Sequence, residues 1–91
     1  MKNYTYKNTE SYFRKMKPIW ERTGLEFRQK RELLGLSQKD IACQIGTSPS
    51  LISRFELGSY ISRRSLVENS YLTAIELFLR KQQEHFAKIN L

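Results

Sequence analysis

Cysteine and histidine each occur once, at Cys43 and His85. A single cysteine closes no internal disulfide, and a single histidine with no thiolate nearby makes no metal site. Neither a disulfide scaffold nor a metal centre is therefore expected. Cys43 lies in an amphipathic stretch, which predicts a small, partly buried hydrophobe. Paired catalytic carboxylates, a nucleophile–base set and a phosphate-cradling glycine loop are all missing, so no enzymatic chemistry and no cofactor are expected. No apolar run approaches the roughly 20 residues that cross a bilayer. Met1–Lys7 lacks the apolar segment of a signal peptide, and a cytoplasmic location is the expectation. The apolar and basic residues do not separate cleanly along any one helix, which argues against a membrane-surface binder.

With 91 residues, the chain suits one domain. A core of that size leaves no room for a deep catalytic cavity, so no small-molecule ligand is expected. The net charge is +7, which points to an anionic partner. The charge is unevenly placed. Residues 1–35 carry nine Lys/Arg against four Glu, residues 36–61 are neutral overall, and residues 62–91 carry five against three. Positive flanks thus surround a neutral centre.

The periodicity is helical nearly throughout, and no polar–apolar alternation is long enough for a sheet. Residues 1–17 are basic and aromatic and read as an arm or short helix. Thr9 is a candidate cap, and Pro18 ends this segment or opens the next. The following helix starts either at Pro18 or at Thr23, with Glu26 completing a capping box. It ends near Leu34, with Gly35 as its stop, and places Phe27, Arg31 and Leu34 on one face. Ser37 caps the next helix, with Asp40 three residues on. Ile41, Ala42 and Ile45 form its buried stripe, and Gly46 stops it. Ser48 caps another, with Pro49 where a missing N–H costs nothing. Leu51, Ile52 and Phe55 face inward before Gly58. Beyond Ser62 one or two further helices follow.

Two short helices that cross steeply through a tight turn need a small residue at the crossing, a turn residue tolerant of positive φ, and apolar inner faces. Ala42, Gly46 and the set Ile41, Ile45, Ile52 and Phe55 meet all three demands. Here the stretch Leu36-Ser37-Gln38-Lys39-Asp40-Ile41-Ala42, then Gly46-Thr47-Ser48-Pro49-Ser50-Leu51-Ile52-Ser53-Arg54-Phe55-Glu56 and Gly58, resembles the phage-repressor/Cro (Xre-type) family of helix-turn-helix proteins. The resemblance covers residues 25–60, weakens towards 79 and is absent from 1–20. It implies an all-α, lambda-repressor-like bundle of four to five helices with an N-terminal extension. The helix-turn-helix would span residues 37–57 within a single domain of residues 18–91, and residues 48–57 would form the recognition helix.

The same resemblance implies roles for individual residues. Gln38 would bond a DNA phosphate and brace the recognition helix. Ser48, Pro49, Ser50, Ser53 and Arg54 would face base edges, with Arg54 as chief reader because arginine bonds guanine O6 and N7 together. Pro49 departs from the polar residues usual there and offers only apolar contact. Arg31 and Glu56 would form a structural pair. Arg63 and Arg64 would reach phosphate or the minor groove, and Arg28 and Lys39 would touch phosphates. Phosphate contacts give affinity while base contacts give selectivity, so a neutral motif between basic flanks fits double-stranded DNA.

Leu66, Tyr71, Leu72, Ala74, Ile75, Leu77, Phe78 and Leu79 exceed what one core-facing stripe needs. The excess predicts a partner surface on a helix over residues 70–88, most simply a homodimer contact. The alternative is an antitoxin-type interaction module with autoregulatory DNA binding, in which the same surface docks a protein antagonist. The family's usual glycine turn between its last two helices is missing, since no glycine follows Gly58.

Overall fold

The computed structural model describes the backbone of residues 2–89 and the side chains of residues 10–89. It is all-helical over that range, with four helices: α1 (Lys2–Leu33), α2 (Gln38–Ile45), α3 (Pro49–Glu56) and α4 (Arg64–Ile89). The two short helices start where their local chemistry dictates. The Ser37 hydroxyl accepts the Asp40 N–H at 3.0 Å, and the Asp40 carboxylate accepts the Ser37 N–H at 2.8 Å. This reciprocal pair satisfies two amides that the first turn leaves free. Gly46 closes α2 in the left-handed region at φ 75°, and its N–H returns to the Ala42 and Cys43 carbonyls. Only glycine enters that region without a Cβ penalty, so the turn can be this tight.

α2 and α3 pack on each other, α1 crosses the end of α3, and α4 closes the cluster from the other side. Ile41, Ile52, Phe55 and Tyr71 are completely buried at the centre. Each contributes about 1.5–3 kcal/mol by leaving water. Phe27, Phe55 and Tyr71 form a triangle with ring centroids 5.0–5.5 Å apart. That spacing falls within the favourable range for tilted and edge-on aromatic pairs.

Two expectations are corrected, at Pro18 and Cys43, and one open alternative is decided after Arg64. α1 does not break at Pro18 but runs through it, so neither Pro18 nor Thr23 opens a helix. The proline deprives the ladder of one bond. Phe13 and Trp20, on either side of it, both pack on Tyr60, and this docking favours a continuous helix across the defect. The side chain of Thr9, the candidate cap, lies outside the described residues. Beyond Arg64 there is one continuous helix rather than a fourth and a fifth, as the missing glycine allows. Cys43 is exposed, not partly buried. Ile41 and Ala42 supply the buried face of α2 and turn the next residue to solvent.

Candidate nucleic-acid interface

α3 has two unlike faces. Ile52, Phe55 and Glu56 are buried, while Ser48, Pro49, Ser50 and Arg54 are exposed and Ser53 is half-buried. The Ser48 Oγ accepts the Leu51 N–H at 3.3 Å, which leaves its hydroxyl hydrogen free to donate outward. The five residues expected to meet bases therefore form one largely polar ridge, broken by Pro49, along a two-turn helix.

The ridge is held from behind by Glu56, a carboxylate only 5 % exposed. Arg31 donates to it twice, from Nε to Oε2 at 2.8 Å and from Nη2 to Oε1 at 3.0 Å. Gln38 Nε2 donates to Oε1 at 3.0 Å and the Tyr71 hydroxyl to Oε2 at 2.5 Å. The remaining arm of Arg31 donates to the Leu36 carbonyl at 2.8 Å. All four helices thus meet on one side chain. No buried side-chain N or O among the described residues lacks a partner, so the charge in the core is fully compensated. Gln38 here braces α3 through Glu56.

The cluster shifts both titrations. Burial pushes the Glu56 pKa up, but the hydrogen bonds from Arg31, Tyr71 and Gln38 outweigh it, and the group sits below its ordinary value of 4.5. Burial, then the bond to Glu56, pushes the Tyr71 hydroxyl well above its ordinary 10.0. A depressed carboxylate stabilises the fold above its unfolded pKa and loses that contribution as pH falls through the native value. A raised phenol stabilises it below the unfolded pKa and loses that contribution as pH rises. Stability should therefore be level between about pH 5 and 9.5 and decline on both sides. The alkaline decline should be smaller in Tyr71→Phe, as thermal unfolding across pH would reveal.

The cations are placed unequally. Arg54 reaches past the end of α3 and donates to the Tyr60 carbonyl at 2.8 Å, still exposed. Lys39 is exposed on α2. Arg28 is half-exposed and pairs with Glu32 at 3.2 Å along α1. Arg63 is exposed, in the left-handed region at φ 56°. Arg64, expected at phosphate or the minor groove, is held within the fold instead of projecting freely. Its guanidinium donates to the carbonyls of Ser59, Trp20 and Phe55 at 3.0–3.1 Å and lies 4.4 Å from the Phe55 ring centroid. Burial pushes its pKa down, with Glu68 partly offsetting the shift. Arg64 pins the loop after α3 to α1 through these three carbonyls.

Sequence reasoning missed three contributors. Tyr71 was counted only as apolar, although a buried hydroxyl demands a partner. Trp20 anchors Arg64. Gly24 sits where α1 crosses α3, with the Phe55 and Glu56 carbonyls against its Cα. Among the described residues no helix is long and apolar enough to cross a membrane.

The family model for the helix-turn-helix matches residues 27–69, from the core face of α1 through α2 and α3 into α4. No curated protein and no solved structure matches the chain. The matched segment holds the whole α2–turn–α3 unit and Arg31, Gln38 and Glu56. Residues 27–69 therefore match a helix-turn-helix domain, which supports a place for this segment in the Cro/Xre-like DNA-binding family.

Proposed function

We propose that the chain is a sequence-specific transcriptional repressor that acts in the cytoplasm and binds an inverted-repeat operator as a dimer, with α3 in the major groove. One observation carries this reading: the ridge Ser48, Pro49, Ser50, Ser53 and Arg54 faces outward from a helix whose other face is fixed by the Glu56 cluster. A rigid helix with short polar side chains and one arginine can approach base edges closely. Arg54 is the chief reader, released from the Tyr60 carbonyl when guanine offers two acceptors. Gln38, Lys39, Arg28 and Arg63 remain candidates for phosphate.

The dimer reading draws support from α4. Leu72, Leu79 and Phe86 are exposed and recur every seven residues, with Ile89 also exposed at the end of the helix. Such a repeat suits a paired helix of a second copy. The same row favours the second reading, an antitoxin-type module in which a protein antagonist covers it.

Selection from a pool of random duplexes tests both features at once. The wild type should enrich an inverted repeat. Arg54→Ala should relax discrimination at one position per half-site by about 5- to 150-fold, the worth of a bidentate arginine–guanine pair. Enrichment of a lone half-site would remove the dimer. No enrichment would remove sequence reading altogether.

A further inference from the structure

We propose that the N-terminal half of α1, over residues 10–17, is a second DNA-binding element: a basic wing that grips the phosphate backbone beside the recognition helix. The inference rests on the DNA-binding reading above. Its first support is position. The Phe13 ring lies 4.8 Å from the Tyr60 ring, and Lys17 Nζ donates to the Gly58 carbonyl at 3.0 Å. The Tyr60 carbonyl in turn holds Arg54. A single residue, Tyr60, therefore separates the wing from the side chain expected to read bases.

The second support is rigidity. Tyr12, Phe13, Trp20 and Tyr60 form a ring cluster with centroids 4.8–6.2 Å apart. It stands apart from the Phe27–Phe55–Tyr71 core, and Arg64 fastens it through the Trp20 carbonyl. A loose arm would lose conformational entropy on meeting DNA, whereas a docked one is already in place.

The third support is charge supply. Residues 36–61 are neutral overall. Arg64 is held by backbone carbonyls, so one of the cations expected on phosphate is otherwise engaged. Backbone affinity requires cations near the groove. Arg14 and Lys15 are exposed in the wing, and neither forms a salt bridge with a described carboxylate. Arg14 lies one turn before Lys17, on the flank of α1 that borders Gly58.

The test is binding to a fluorescent duplex of mixed sequence, about 30 base pairs long so that two half-sites fit, measured by anisotropy across a salt series. Arg14→Gln/Lys15→Gln is compared with Lys81→Gln/Lys88→Gln, which removes the same charge from exposed sites on α4. All four sites are exposed, and circular dichroism checks that both variants remain helical. The wing variant should flatten the log–log salt dependence by about 2 per protomer and weaken low-salt binding by about tenfold or more. The α4 variant should keep the wild-type slope. Equal effects of the two variants, or an unchanged slope in the wing variant, would overturn the wing while leaving DNA binding intact. Failure of the wild type to bind any duplex would overturn both readings.

Discussion

Glu56→Ala should destabilise the protein by about 3–5 kcal/mol, the usual cost of leaving one member of a buried ion pair alone. The substitution strands more than one group. Arg31 would keep only the Leu36 carbonyl, and the Tyr71 hydroxyl only a weak approach to the Phe27 carbonyl at 3.5 Å. Gln38 would lose its acceptor. A 91-residue fold is stable by roughly 5–14 kcal/mol in all, so the variant should melt at least about 12 °C lower and be partly unfolded when warm. Arg28→Ala, which breaks the exposed pair with Glu32, should cost at most about 0.5 kcal/mol. If chemical denaturation put the two variants within 1 kcal/mol of each other, the Glu56 cluster would not organise the fold.

Gly24→Ala should also destabilise, against the ordinary rule for helices. In an open helix the change gains about 1 kcal/mol because alanine is the better helix former. Here an added Cβ would stand 2.5 Å from the Phe55 carbonyl oxygen and closer still to that of Glu56. Both are backbone atoms with no rotamer in which to retreat, so α1 must lift away from α3 and take Arg31 with it. Overpacking of this kind costs about 1–3 kcal/mol and here should exceed the propensity gain. Guanidinium titration of the variant should give a lower midpoint. A higher midpoint would mean that α1 and α3 do not approach as closely as described.

These two variants touch what the sequence revealed least. The α2–turn–α3 unit is legible because its signals are local: Ser37 with Asp40, Gly46, and Ser48 with Pro49 each act within four residues. Gly24 gives no such signal, since its reason lies about thirty residues away in α3. Tyr71 looks like any apolar helix residue until Glu56 is beside it. Arg64 follows Arg63 in a basic pair, and charge alone cannot distinguish them. The carbonyls of Trp20 and Phe55 do, one from far along the chain. Pro18 is the converse, a strong local stop signal overruled by packing on both sides. The exposed ridge on α3 was readable because helix period and polarity together predict which face remains open.

On the proposed function, this ridge enters the major groove. Methylation interference on the selected duplex tests it most directly, because guanine N7 lies in the major groove and adenine N3 in the minor groove. Methyl groups on guanine N7 within each half-site should block binding. Arg54→Ala should become indifferent to one of those guanines. Interference confined to adenine N3, with every guanine N7 tolerated, would contradict major-groove entry.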